Sequence, residues 1–276
     1  MTTNYFYKNL KSKFFEVSGL DSASFIQGLI TNDINILNKN QFLYSCFLTP
    51  QGKFIADFFI FKSNDKFIFE IHEKFIEIIL KKFNIYKLKS NIEIRRIDLL
   101  HSFVIFDKLK IIKNYEVFNN DPRNFNVGRK LIQKQSFLED NKDMVEINEM
   151  KYHEILIKNK VPYSPLDLQE NKSLLLENNL DNLNAISWDK GCYIGQEITA
   201  RMKYRALLKK KLYAMILVSG NISVGDKVIE NEIIAGEVIS TSNDYLFCML
   251  KIEFAKKKIA KKELLKTNSL AQLKFL

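Results

Sequence analysis

The stretch that most constrains this chain is Lys190-Gly191-Cys192-Tyr193-Ile194-Gly195-Gln196-Glu197, continuing through Ile198-Thr199-Ala200-Arg201 to Arg205. Two glycines bracket a cysteine and a tyrosine, a lysine precedes them, and a Gln-Glu pair with two arginines follows. Glycine lets a backbone come close to a neighbour or take a positive φ. From Gln196 onward the residues are good helix formers without Gly or Pro, so the spacing predicts a loop feeding a helix N-terminus near Gly195. A cysteine so placed lies near Lys190 and the positive end of the helix dipole, both of which favour a thiolate. If the helix continues, Glu197, Arg201 and Arg205 follow one another at i, i+4 on one face.

This run resembles the signature of the YgfZ-type folate-binding proteins, relatives of the glycine-cleavage T-protein (aminomethyltransferase) that are tied to iron–sulfur cluster assembly or maintenance. Gly19-Leu20-Asp21 with Phe25 to Asp33, and Asp121-Pro122-Arg123 followed by Gly128-Arg129, resemble the same family. The resemblance implies an α+β fold of three modules around a cleft, with a ferredoxin-like insert and a C-terminal antiparallel β-barrel. It also implies tetrahydrofolate, or a derivative, as cofactor. Glu177 would accept hydrogen bonds from the pterin's aminopyrimidine edge, and Arg201 or Arg205 would pair with the glutamate tail. Lys190, Tyr193, Gln196 and Asn32 would line the same site.

Cys192 is then the reactive group, able to attack, exchange or hold a partner group. The implied partners are iron–sulfur proteins or cluster-assembly factors, with tRNA modification reached through iron–sulfur enzymes. In the T-protein a catalytic aspartate lies on a strand after a glycine turn, and the resemblance implies Asp57 as its counterpart here. Ala56 stands where the T-protein carries a second aspartate, and strand alternation alone would send Asp57 to solvent. Asn159-Lys160-Val161-Pro162 also departs from the family's Gly-Ile-Pro approach. The alternative activity is a folate-dependent one-carbon transfer like that of the T-protein, with Asp57 positioning the amine. The cysteine motif, which the T-protein lacks, argues against it.

The bulk properties narrow the classes. At 276 residues with 46% apolar residues the chain can bury a sizeable core and is not disordered. No apolar run approaches the 18 or more residues of a membrane span, and Met1 to Lys13 lacks the apolar core of a signal peptide. A cytoplasmic location without a membrane partner is expected. Cys46, Cys192 and Cys248 lie far apart, which points to a reducing compartment and away from a metal site within the chain. His72, His101 and His153 share no metal-binding spacing. The net charge of +10 is weighted to the last quarter, densest at Lys256-Lys257-Lys258 and Lys261-Lys262. No aromatic residue interleaves that cluster, so a direct nucleic-acid partner is not expected.

In chain order, Phe14 to Val17 reads as a strand, and Gly19 to Ser22 as the cap of a helix carrying Phe25, Ile26 and Leu29 and ending at Gly28. Phe42–Leu48 and Phe54–Lys62 flank a Pro-x-Gly turn and form a hairpin. Lys66–His72 is a strand, Glu73–Asn84 an amphipathic helix, and Ile92–Ile97 and His101–Phe106 are strands. A helix is expected over 143–158. Strands at Leu212–Val218, Ile233–Thr241, Tyr245–Ile252 and near Leu270–Leu276 make the barrel. The domain expectation is a discontinuous folate-binding core of 1–45 with 148–205, a ferredoxin-like module at 46–147, and the barrel at 206–276.

Overall fold

The computed structural model describes residues 4–106, 112–134, 144–205 and 208–276. The chain runs β1 (Tyr5–Asn9), β2 (Ser12–Ser18), α1 (Ser22–Leu29), β3 (Leu43–Leu48), β4 (Phe54–Ser63), β5 (Lys66–His72), α2 (Glu73–Lys87), β6 (Glu93–Ile97) and β7 (His101–Ile105). It continues with β8 (Val117–Asn120), β9 (Arg129–Gln133), β10 (Val145–Ile147), α3 (Glu149–Lys158) and α4 (Gln196–Tyr204). The last part holds β11 (Lys210–Ser219), β12 (Lys227–Glu230), β13 (Ile233–Ser242), β14 (Tyr245–Lys251), α5 (Ile252–Lys261), β15 (Leu265–Thr267) and β16 (Gln272–Phe275).

Among the described residues three sheets form. The first has the order β3-β4-β5-β2-β6 and the second β10-β1-β7-β9-β8, while β11-β14-β13-β12-β15-β16 closes into a barrel. The mixed α+β class and the C-terminal barrel are those expected. The cut after residue 45 falls inside β3, and β2 pairs with β5 and β6. Segments 1–45 and 46–147 therefore share a sheet, and the start of β4 also pairs with 148–205, the Phe54 amide donating to the Ser173 carbonyl at 2.9 Å and the Asn171 amide to the Phe54 carbonyl at 2.7 Å.

The first sheet and α2 build the main core. Strand β4 is apolar almost throughout, with Phe54, Ile55, Ala56, Phe58, Ile60 and Phe61 all buried, as a strand covered on both faces requires. Phe75, Ile76, Ile79 and Phe83 line one face of α2. Phe83 meets Phe15, Phe25 and Phe69 edge-on, with centroids 5.7 Å apart in each pair. Such pairs add about 0.5–1.5 kcal/mol each beyond their burial. His72 is the N-cap of this helix, its Nδ1 accepting from the Lys74 amide at 3.1 Å.

Several local expectations are corrected. Asp21 precedes α1 but does not cap it with its side chain; its carboxylate instead accepts from the Asn91 amide at 2.6 Å. The helix expected over 143–158 begins at Glu149, capped by Asn148, and residue 143 lies outside the described residues. Ahead of it, Val145–Ile147 forms β10, drawn into strand by parallel pairing with Tyr5–Tyr7. In the barrel, β12 and β15 are short strands of four and three residues, and the basic cluster sits largely on α5. There Lys258 pairs with Glu230 at 2.8 Å and Glu263 at 2.7 Å.

The barrel is fastened to the rest through α3. Ile157 packs with Leu212, Ala214 and Phe247. The Ser240 hydroxyl of β13 donates to Asp167, whose other oxygen accepts from the Tyr163 amide at 2.6 Å. Ser242 Oγ donates to the Met150 carbonyl at 2.6 Å.

Candidate functional site

Residues 189–195 form a loop pinned on both sides of an exposed cysteine. Lys190 is 8% exposed, and its ammonium donates to the carbonyls of Gln27, Ile30 and Asn32 at 2.7, 2.7 and 2.8 Å. These oxygens cluster at the C-terminal end of α1, where carbonyls lack helical partners and a cation is favoured. Burial pulls the Lys190 ammonium down to about 8. Its three protons are thus spent on α1, and the role of neighbour to the Cys192 thiol expected from sequence is corrected to that of a structural clamp. Tyr193 is 7% exposed, and burial raises its phenol to about 12. The Ile194 amide donates to the Gly28 carbonyl at 3.2 Å. Between these anchors Cys192 faces solvent, whereas Cys46 and Cys248 are buried and burial pushes both their thiols up.

The two glycines do different jobs. Gly195 is the N-cap of α4 with φ 84°, and a Cβ there would come within 2.6 Å of the Thr49 carbonyl and 2.8 Å of Leu48 Cβ. Gly191 has no atom within 4 Å of an added Cβ. Gly195→Ala should therefore cost about 2–4 kcal/mol, combining left-handed strain with a backbone clash. Gly191→Ala should stay within about 0.5 kcal/mol. Urea unfolding of the two variants checks this, and equal losses would refute the assignment.

Helix α4 forms as expected and, with the β3–β4 turn and the end of α2, walls a pocket of about 870 Å³. Cys192, Tyr193, Gln196, Arg201 and Arg205 line it, joined by Pro50, Tyr86 and Tyr204. Arg201 pairs with Glu197 at 2.5 Å across one turn. Both side chains are half or more exposed, so the pair is worth well under about 1 kcal/mol and yields readily to a ligand. Tyr204 sits one turn from Arg201 and was within reach of helical spacing. Tyr86 and Pro50 were not, being brought in from more than a hundred residues away.

Asp57 lies elsewhere. It is half-buried on β4 and lines a separate polar cavity of about 50 Å³, its carboxylate accepting from the Tyr44 hydroxyl at 2.8 Å. Arg123, also on this cavity, chelates Asp121 through Nε at 3.0 Å and Nη2 at 2.8 Å. Its guanidinium lies over the rings of Phe59 and Tyr44 at 4.9 and 5.4 Å. The Asp-Pro-Arg motif thus closes on itself.

The remaining expected ligand residues are used by the fold. Asn32 is buried, its amide donating to the carbonyls of Tyr44 and Asn184 at 2.9 and 2.6 Å while Oδ1 accepts from the Asp33 amide. Glu177 lies in a single 3-10 turn, 3.5 Å from Lys210 of the first barrel strand, and lines neither cavity. So Cys192, Tyr193, Gln196, Arg201 and Arg205 come together, and Asp57, Glu177, Asn32 and Lys190 do not join them. Among the described residues no group of three His, Cys, Asp or Glu could hold a metal ion.

The architecture is that of the glycine-cleavage T-protein. The chain matches the aminomethyltransferase T of Bartonella henselae with a TM-score of 0.73, over 99% of this chain and 85% of that one, at 8% identity. Identity that low speaks for the fold alone. In sequence it is 29% identical over 227 residues to the mitochondrial iron-sulfur cluster assembly factor IBA57 homolog of Neurospora crassa, covering 74% of this chain and 52% of that one. It is 27% identical over 228 residues to the tRNA-modifying protein YgfZ of Buchnera aphidicola, covering 75% and 71%. No family model matches. The chain is thus similar in sequence to IBA57-type and YgfZ-type proteins and shares the fold of the T-protein. It spans about half the length of the fungal relatives it matches.

Proposed function

We propose that this protein is an accessory factor for iron–sulfur cluster assembly or repair, acting through Cys192, with tRNA modification affected through iron–sulfur enzymes. The observation that carries the reading is one exposed cysteine held between two buried, fully committed neighbours at the rim of a large apolar pocket. A thiol so presented can attack, exchange or transiently hold a group delivered by a cluster-bearing partner without any rearrangement of the fold. Relatives that bear cluster-assembly names support the same direction. A cytoplasmic location belongs to this proposal, and among the described residues no helix is long and apolar enough to cross a membrane. Complementation with Cys192→Ala is the test.

Tetrahydrofolate enters the proposal through the same pocket and not beside Asp57. Small-molecule sites span roughly 300–1,000 Å³, a range that includes the Cys192 pocket and excludes the Asp57 cavity. The donor set fits the ligand: Tyr86 and Tyr204 offer aromatic faces, Gln196 an amide, and Arg201 and Arg205 guanidinium groups for tail carboxylates. When bound, tetrahydrofolate would supply a carrier for one-carbon units. Calorimetric titration with tetrahydrofolate should show micromolar binding, weakened about 10-fold or more in the Arg201→Ala/Arg205→Ala double variant through lost charged hydrogen bonds. Glu177→Ala should bind like the wild type. Absence of heat from folded protein would remove the folate half of the proposal and leave the Cys192 half standing.

A further inference from the structure

The polar cavity at Asp57 is too small for a substrate chamber. At about 50 Å³ it offers several times the 10–15 Å³ or so that one water needs, and far less than any organic ligand. Its walls are already engaged. Lys130 and Glu70, each 3% exposed at the side chain, face each other at 2.9 Å. The Glu70 carboxylate also accepts from Ser12 and Ser102 at 2.8 and 2.5 Å. Arg123 is chelated by Asp121 as described.

Glu70 Oε2 faces Lys130 but accepts no hydrogen bond among the described residues, and two further groups on the cavity are under-used. Ser164 is 5% exposed, and its hydroxyl has no hydrogen-bond partner among the described residues. The Asp57 carboxylate takes one O–H, from Tyr44, although an ionised carboxylate can accept about four hydrogen bonds. A buried hydroxyl without a partner costs about 1–3 kcal/mol, and a half-buried carboxylate without a cation is costlier still unless it is hydrated.

We infer that this cavity is a structural water site, in which bound water joins the Asp57 carboxylate to the Ser164 hydroxyl and so ties β4 to the segment after α3. Water is the ligand class that satisfies the volume and supplies donor and acceptor in one molecule. Asp57 is then a group that holds the fold together, and aminomethyl transfer at this position is not part of what the protein does.

The test uses the full chain. A high-resolution crystal structure should show water density bridging residues 57 and 164, with the bridge lost in Ser164→Ala. Asp57→Asn should lower the urea midpoint, yet keep cluster-linked activity in cells and tetrahydrofolate affinity within about twofold of wild type; Cys192→Ala serves as the inactive control. Organic density in the cavity after soaking with tetrahydrofolate would overturn the inference. So would an Asp57→Asn protein that is as stable as the wild type and inactive.

Discussion

Cys192→Ala is expected to abolish cluster-linked activity in cells while leaving stability within about 0.5 kcal/mol of wild type, the range of surface substitutions. The thiol is exposed, so removing it takes little from the core. The residues that shape the loop are Lys190, Tyr193 and Gly195, and none of them depends on the sulfur: Lys190 reaches three carbonyls of the α1 region, Tyr193 is buried, and Gly195 abuts the β3–β4 turn. The measurement is complementation of a strain depleted of the endogenous factor, scored by activity of iron–sulfur enzymes, beside urea unfolding of the purified variant. Full activity in the variant would remove the cysteine from the mechanism and shift attention to the pocket's arginines. Loss of activity with a large loss of stability would mean that the thiol is structural.

Arg123→Ala should be the most destabilising single change among those considered, at about 3–5 kcal/mol, the range for breaking a buried ion pair by removing one partner. The guanidinium and the Asp121 carboxylate are 4% and 0% exposed at the side chain. Truncation would leave the carboxylate buried without its cation and strip the rings of Phe59 and Tyr44 of the group lying over them. Arg123→Lys keeps the charge but not the two-pronged geometry, so it should recover only part of the loss. Urea midpoints with m-values decide the matter; a loss under about 1 kcal/mol for the alanine variant would contradict the buried pair.

The strands and helices whose apolar residues repeat at a clear period were legible in the sequence. The β3–β4 hairpin, α2 and α4 all form where alternation, helical spacing and glycine placement put them. Elements that depend on a distant partner were not. Strand β10 exists because Tyr5–Tyr7 pairs with it, and nothing within residues 145–147 announces that. The Asp21 side chain is drawn from the cap of α1 by the Asn91 amide, a competition that local preference does not contain.

The candidate site divides along the same line. That Cys192 stands in a glycine-flanked loop before a helix, with Arg201 one turn beyond Glu197, was determined by the sequence itself, because those relations are local and follow from helical geometry. Which of the other polar residues would meet the cysteine was decided by the tertiary structure alone. A charged or amide side chain has the same intrinsic chemistry whether it faces a ligand or a backbone carbonyl, and burial makes the nearest unpaired carbonyl or carboxylate win. Lys190 went to α1, Asn32 to Tyr44 and Asn184, and Glu177 to Lys210, while packing brought Tyr86 and Pro50 to a pocket that no sequence spacing joined them to.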